Sequence, residues 1–195
     1  MKKLYRLLPF VFSLALALTL IACAQPPKAE IDAAEAAYSK AQSSPDVAAY
    51  APEAFAKAQS AIGLMRDELA AKRYDRAKDA AIQAKDAADA AVTEALAGKE
   101  RAKAKAEEII AAAKSASPEA EKLLADASKV KKAKLDLAAK VAELEAGQAS
   151  LAAAEDAYGK GDYLGAQDKA AAAQKSFADL QAEISAAVQG ATRKK

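Results

Sequence analysis

The 195-residue chain contains no histidine, no tryptophan and one cysteine, Cys23. Metal sites built on His or Cys ligands are therefore excluded, and so are Ser-His-Asp and Cys-His nucleophile systems. A single cysteine cannot form a disulfide within the chain. The seven glycines are scattered, so no phosphate-binding loop is present. We expect a protein that is not an enzyme and that holds neither a metal nor a cofactor.

An excess of charge of one sign is also lacking. The chain carries 29 Lys and Arg residues against 27 Asp and Glu residues. Three of the basic residues lie in the first six positions and three more, Arg193, Lys194 and Lys195, end the chain. The remainder holds 23 basic residues against the same 27 acidic ones. A nucleic-acid partner therefore has no electrostatic basis.

A basic and then apolar segment opens the chain. Lys2, Lys3 and Arg6 precede an uncharged run over 7–22. That run has the length of a signal-peptide core and is shorter than the roughly 20 apolar residues of a membrane-spanning helix. Leu20-Ile21-Ala22-Cys23 closes it and resembles the lipobox of bacterial lipoproteins. An uncleaved anchor, or an ordinary signal peptide that contains a cysteine, is the alternative.

The lipobox resemblance implies an address for the chain. Cys23 would carry diacylglycerol, would usually gain a third acyl chain such as palmitate, and would become the N-terminus. Two or more chains hold a protein stably on a membrane. By analogy with Gram-negative sorting, Ala24 in place of Asp favours the outer membrane, facing the periplasm. The chain is predicted to comprise a signal peptide over 1–22, a lipidated tether over 23–28, a helical domain over 29–190 and a basic tail over 191–195.

The body of the chain is rich in alanine, leucine and charged residues that favour helices, and poor in strand formers. This composition predicts an all-α protein, an elongated antiparallel bundle with shorter helices flanking a long hairpin. Ser117 and Pro118 suit the N-cap and first position of a helix, and so predict the hairpin turn. The expected helices cover about 29–42, 52–72, 75–116, 118–158 and 163–188.

Two heptad patterns predict how the hairpin arms pack as a coiled coil. The first arm has small residues at Ala77, Ala81, Ala84, Ala88, Ala91, Ala95, Gly98 and Ala102. The second arm has mostly large residues at Leu123, Ala127, Val130, Lys134, Leu137, Val141, Leu144, Gln148 and Leu151. One small and one large seam would let the two arms approach closely.

A turn at Ser117 would also bring two basic segments together. The residues are Lys99, Arg101, Lys103, Lys105, Lys131, Lys132 and Lys134. In such a hairpin Arg101 would face Lys134, which would create one basic band. The band is a candidate site for lipid headgroups, an acidic polysaccharide or an acidic partner. The alternative is a solvated face that neighbouring glutamates neutralise.

The chain also matches itself at a shift of 89 residues. Tyr74-x-x-Ala77-x-Asp79 aligns with Tyr163-x-x-Ala166-x-Asp168. The match predicts an internal duplication and a pseudo-symmetric bundle. The sequence around Gly161-Asp162-Tyr163 resembles the inter-helix turn of tetratricopeptide repeats, although the spacing departs from the 34-residue period of that family.

A further resemblance covers Ala29 to about Ala91. An alanine-rich helix is followed by Ala48-Ala49-Tyr50-Ala51-Pro52-Glu53 and then by Tyr74-Asp75-Arg76-Ala77. This order is similar to a family of alanine-rich bacterial lipoprotein domains of unknown function. The resemblance implies a helical hairpin fold and an envelope address, and it implies no site residues.

Three functions are compatible with these features. The first is a non-catalytic, lipid-anchored envelope protein that acts as scaffold, spacer or partner-binding module. The second is a tether joined to peptidoglycan through the C-terminal Lys195, as in small murein lipoproteins. The third is a periplasmic holdase for outer-membrane proteins. The expected partners are the membrane, through the lipid on Cys23, and either an envelope protein or peptidoglycan, and a homo-oligomer stays open.

Overall fold

A computed structural model describes residues 25–130 and 135–192. Within these ranges the chain forms helices and no strand, which confirms the predicted all-α bundle. The helices are α1 (Lys28–Ser43), α2 (Pro45–Tyr50), α3 (Pro52–Ala70), α4 (Tyr74–Ser128), α5 (Leu137–Gly159) and α6 (Tyr163–Thr192).

The described residues fall into two compact units that divide between Glu94 and Ala95. Unit 1 contains α1, α2, α3 and the part of α4 over 74–94. Unit 2 contains the part of α4 over 95–128, with α5 and α6. Helix α4 therefore contributes residues to both units, and each unit has three main helices around its own core.

Local signals in unit 1 explain where its first helices begin. The Ser44 side chain accepts a hydrogen bond from the Val47 N–H at 3.4 Å and so caps α2. Pro52 lies at the start of α3, where its missing N–H leaves no hydrogen bond unmade, as the sequence predicts. The Tyr38 and Phe55 rings stack at 5.6 Å between α1 and α3. Two clusters of buried residues, most of them alanine, form the rest of the unit-1 core: Ala34, Ala41, Ala58, Ile62, Met65, Ala80, Ala81, Ala84 and Ala88.

Helix α5 of unit 2 runs antiparallel to α4. Gln148 lies 3.5 Å from Ser117 between side-chain atoms, and the Tyr158 hydroxyl donates to Glu107. The residue numbers of each pair add up to 265, so the two contacts share one antiparallel register. That register requires the chain to reverse after the end of α4 at Ser128 and before the start of α5 at Leu137.

The predicted hairpin turn at Ser117, with arms over about 75–116 and 118–158, is therefore wrong. Pro118 lies inside α4 on its exposed face. Proline removes the helical hydrogen bond to the carbonyl four residues earlier, that of Lys114, and at an exposed site water can bond to this carbonyl. Ala113 and Ala120 are fully buried on either side of the proline, so packing maintains the helix through it.

The second helix of the hairpin has its N-cap at Asp136, and not at Ser117 as predicted from the sequence. Asp136 precedes α5, and its Oδ1 accepts a hydrogen bond from the Ala139 N–H at 3.1 Å. An acidic N-cap of this kind satisfies one of the free N–H groups of the first turn. The reversal between α4 and α5 therefore precedes Asp136.

The two predicted heptad seams have different outcomes. In the first arm Ala77, Ala81, Ala84, Ala88, Ala91, Ala95 and Ala102 are buried, as predicted. Ala81, Ala84 and Ala88 nevertheless pack against α1 and α3 of unit 1, and not against the predicted second arm. In the second arm only Ala127, Leu144 and Leu151 are buried among the described positions, whereas Leu123, Leu137, Val141 and Gln148 are exposed. This seam is wrong because it runs across the interruption between α4 and α5, where the helical phase is lost.

Each unit has an inter-helix turn of the same backbone geometry, at positions that correspond at the 89-residue shift. Lys72 in unit 1 and Gly161 in unit 2 both have positive φ, at 57° and 80°. The next N–H in each turn, that of Arg73 or Asp162, donates to the carbonyl five residues earlier, at 2.9 and 3.0 Å. In unit 2 the Asp162 carboxylate accepts a hydrogen bond from the Gly165 N–H at 2.9 Å and so caps the start of α6. The duplication thus extends to individual backbone bonds.

Core residues compensate for each other at the same shift. In unit 2, Gly147 lies against the ring of Phe177, and a Cβ on this glycine would lie 2.6 Å from Phe177 Cε1. The equivalent residues of unit 1 are Ala58 and Ala88, which pack in one cluster. Ala58 in unit 1 thus corresponds to the smaller Gly147 in unit 2, and Ala88 corresponds to the larger Phe177. Close packing of protein cores explains why the pair changes together.

The first helix of each unit aligns at a different shift, of 72 residues. Buried Ala34 and Ala41 correspond to buried Ala106 and Ala113. The Lys78–Glu30 ion pair of unit 1 corresponds to the hydrogen bond from Gln167 to the Ala102 carbonyl in unit 2. Because the shift grows from 72 to 89, unit 2 has 17 more residues than unit 1 between corresponding positions of its first two main helices, which are α4 and α5 in unit 2 and α1 and α3 in unit 1. Those residues lengthen α4 and the start of α5.

Candidate functional site

The predicted lipidation site, Cys23, and the predicted peptidoglycan link, Lys195, lie outside the described residues, as does the lipobox. The anchor, the signal peptide and the basic tail therefore stay predictions from the sequence.

The facing arrangement behind the predicted basic band is not formed, because α4 does not turn at Ser117. Residues two apart on a helix point in different directions, so Lys99 and Lys103 lie on one face of α4 and Arg101 and Lys105 on another. Lys105 pairs with Glu108 at 2.8 Å. The remaining members, Lys131, Lys132 and Lys134, lie outside the described residues. An anion site stays a prediction without this geometric support.

A surface groove in unit 2, which we call the α4–α5 groove, combines a cavity with charged side chains. The cavity has a volume of about 340 Å³. Its lining consists of Glu107, Ile110, Ala111, Lys114, Glu155 and Tyr158. The antiparallel register of α4 and α5 brings these residues together across the groove. The sequence did not indicate this site, because its residues become neighbours only in the antiparallel register of α4 and α5 and not in a hairpin that turns at Ser117.

Tyr158 and Glu107 form one side of the groove. The Tyr158 hydroxyl donates to the Glu107 carboxylate, and this bond raises the pKa of Tyr158 to about 12 because deprotonation would place two negative charges together. The Tyr158 ring lies 5.3 Å from that of Tyr163, between centroids.

Lys114 and Glu155 pair across the groove and complete its charged rim. Beneath the rim Ile110 is buried and belongs to the core of unit 2. The groove therefore has an apolar base, two carboxylates, one ammonium group and one phenol. Two carboxylates against one ammonium give the lining a net charge of about one negative unit at neutral pH.

Unit 1 has a different pair at the equivalent positions. Glu107 corresponds to Glu35 at the 72-residue shift, and Glu155 corresponds to Arg66 at the 89-residue shift. In unit 1 the Arg66 Nε donates to Glu35 Oε1 at 3.3 Å. The same site in the two units thus contains a carboxylate with a guanidinium in unit 1, and two carboxylates in unit 2.

A second charged cluster supports the turn of unit 1. Arg73 donates two hydrogen bonds to the Glu68 carboxylate, one of them at 3.0 Å from Nη2. Glu68 is buried, and the Arg73 guanidinium lowers its pKa. The corresponding positions of unit 2 are Ala157 and Asp162, so this pair has no counterpart there. Its role is to stabilise the turn between α3 and α4.

Within the described parts of the chain, no group of three or more Asp, Glu, His or Cys side chains has the geometry to hold a metal ion. Over residues 25–130 and 135–192, no helix is both long enough and apolar enough to cross a membrane. No protein-family model matches the chain, and neither a curated protein nor a solved structure matches it.

Proposed function

We propose that this protein is a lipid-anchored, non-catalytic module of the bacterial cell envelope that binds a partner protein through its helical body. The anchor would be Cys23, and the body would face the periplasm from the outer membrane. The basis for the anchor is the uncharged run over 7–22, which Leu20-Ile21-Ala22-Cys23 closes.

The observation that carries the binding role is the duplicated three-helix unit. Proteins built from repeated helical units commonly present extended binding surfaces. In this chain the two copies keep the same turn, down to the positive φ of Lys72 and Gly161. They differ in the charges between their first two helices, Glu35 and Arg66 in one copy and Glu107 and Glu155 in the other. A retained scaffold with altered surface charge supports partner recognition by one copy.

The anchor is tested by membrane fractionation of cells that express the chain with Cys23 or with Cys23→Ser. We expect the unaltered protein in the outer-membrane fraction and the variant in the soluble periplasmic fraction. Recovery of both proteins in the same fraction would contradict lipid anchoring, because serine cannot carry the thioether-linked lipid.

The binding role is tested by cross-linking intact cells, followed by purification through a tag placed after Gly190. Recovery of one abundant envelope protein is the expected result. Many unfolded outer-membrane proteins would instead indicate the holdase. Muropeptides that disappear when Lys195 is deleted would indicate the peptidoglycan tether.

A further inference from the structure

We propose that the α4–α5 groove of unit 2 binds an arginine side chain of the partner protein, with the guanidinium between Glu107 and Glu155. The inference rests on the proposed partner-binding function and assigns that function to one site. Four observations carry it: the internal guanidinium of unit 1, the charge of the groove, the exposure of its ion pair and its apolar base.

Unit 1 shows how this site accepts a guanidinium. Arg66 lies across from Glu35 and donates to it at 3.3 Å, so the first two helices are joined by an arginine of the chain itself. At the equivalent positions unit 2 has Glu107 and Glu155. The carboxylate that receives the guanidinium is kept, and the arginine is replaced by a second carboxylate. An arginine supplied by another protein would restore the pair.

The charges in the groove favour a cationic occupant over an anionic one. Glu107 and Glu155 contribute two negative charges, and Lys114 contributes one positive charge. A guanidinium has five N–H donors in a planar arrangement and can bond two carboxylates at once, whereas the Lys114 ammonium acts as a point charge. One bound arginine would also bring the lining close to neutrality.

The present partners of the two carboxylates can be exchanged. The side chains of Lys114 and Glu155 are 57% and 43% exposed. Exposed ion pairs of this kind add little to stability, so an incoming arginine displaces Lys114 into water at small cost. Glu107 is engaged by a phenol, Tyr158, which is a neutral donor. A charged donor makes a stronger hydrogen bond to a carboxylate than a neutral one.

The base of the groove suits the rest of the side chain. Ile110 offers apolar surface to the three methylene groups of an arginine, and the Tyr158 ring offers a face on which a guanidinium can stack. The cavity of about 340 Å³ is open enough for one side chain to enter from solvent.

The test uses the full chain in detergent micelles, labelled for amide NMR, and the peptide acetyl-Ala-Arg-Ala-amide as probe. The matched control peptide is acetyl-Ala-Glu-Ala-amide. We expect saturable shifts of the amides of Glu107, Glu155 and Tyr158 with the arginine peptide alone. The amides of Glu35 and Arg66 serve as the internal control and should not move.

Two reciprocal substitutions sharpen the test. Glu155→Arg places a guanidinium inside the unit-2 groove and should weaken peptide binding at least tenfold. Arg66→Glu removes the internal guanidinium of unit 1 and should create a second site, seen as new shifts at Glu35. Glu155→Gln keeps the size of the side chain, so its loss of binding separates charge from any disturbance of the fold.

Equal shifts in both units, or binding that Glu155→Arg and Glu155→Gln leave unchanged, would overturn the inference in favour of unspecific attraction. The failure of this inference differs from a failure of the proposed function. A cross-linked partner that binds equally well to the Glu155→Arg variant would refute the groove and leave the partner-binding role intact. Peptide binding at the groove without any cross-linked partner protein would refute the partner-binding role and leave the arginine site intact.

Discussion

Gln167 donates from its side-chain amide to the backbone carbonyl of Ala102 at 2.8 Å, which fixes α6 parallel to α4 in unit 2. Gln181 repeats the contact with the Ala116 carbonyl at 3.2 Å. Both pairs are separated by 65 residues in the sequence, and they lie two heptads apart along each helix, so the register is kept throughout. Both contacts precede Pro118, and beyond it Ala120, Leu124 and Ala127 of α4 are buried in the core of unit 2. Burial on both sides of the proline explains why α4 continues through it.

Pro118→Ala should stabilise the protein. Alanine restores the N–H that α4 lacks and removes a ring from a helix interior, a change that favours the helix by up to about 3 kcal/mol. The measurement is the free energy of unfolding from chemical denaturation of the full chain. If Pro118 instead began a separate helix, as its sequence context suggests, the alanine variant would be equally or less stable.

Gly147→Ala should destabilise unit 2. Its Cβ would lie 2.6 Å from Phe177 Cε1, so the aromatic ring must move within a packed core, which costs on the order of 1–3 kcal/mol. Gly63→Ala is the matched control, because a Cβ on this helical glycine meets no atom within 4 Å. The control should stabilise the protein by up to about 1 kcal/mol.

The same pair predicts a coupling between the two positions. Gly147→Ala combined with Phe177→Ala reproduces the two alanines that unit 1 has at Ala58 and Ala88. The methyl group then enters the space that the ring has left. We expect the double variant to lose less stability than the sum of the two single variants, by about 0.5–3 kcal/mol. Strict additivity would show that the glycine and the phenylalanine do not compete for space.

Lys72→Gly should stabilise unit 1, and Gly161→Ala should destabilise unit 2. Both positions have positive φ, which costs a residue with a Cβ about 1–2 kcal/mol and costs glycine nothing. The greater freedom of glycine in the unfolded chain offsets part of the gain at Lys72. Thermal unfolding of the two variants measures the effects. Changes of the same sign would contradict the equivalence of the two turns.

Tyr158 should ionise only at strongly alkaline pH, with a pKa of about 12. Its pKa is higher in the folded protein than in the unfolded chain, where it is about 10. The stability that it contributes is therefore complete below pH 10 and is lost as the pH rises toward 12. Glu107→Gln should lower this pKa, since the amide carries no charge. Absorbance of tyrosinate during an alkaline titration measures both forms, and identical curves would refute the Tyr158–Glu107 contact.

Local sequence signals predicted the helices well wherever the chain reverses at a turn with its own caps. Pro52 begins α3, and Gly161 with Asp162 separates α5 from α6, because these residues restrict or permit backbone angles regardless of their surroundings. The same rule failed at Pro118. A proline favours a helix start but does not enforce one, and the tertiary contacts on both sides of it outweighed the local preference.

The residues of the α4–α5 groove could not be predicted from the sequence. Tyr158 and Glu107 are far apart in the chain, and the turn predicted at Ser117 would have placed other residues opposite them. In the observed register α4 does not turn at Ser117, and two carboxylates, Glu107 and Glu155, line one groove instead. The position of one turn thus decided which charges lie near each other.

The sequence by itself determined the helical class, the duplication and most helix ends, because helix propensity, proline and glycine act through a few neighbouring residues. Only the tertiary structure decided that α4 passes through Pro118. It also decided that unit 2 has 17 more residues than unit 1 between corresponding positions of the first two main helices. Packing decided both, since the gain from burying the alanines around Pro118 exceeds the cost of one missing backbone hydrogen bond. Such gains depend on which residues meet across helices, and that is set by the register.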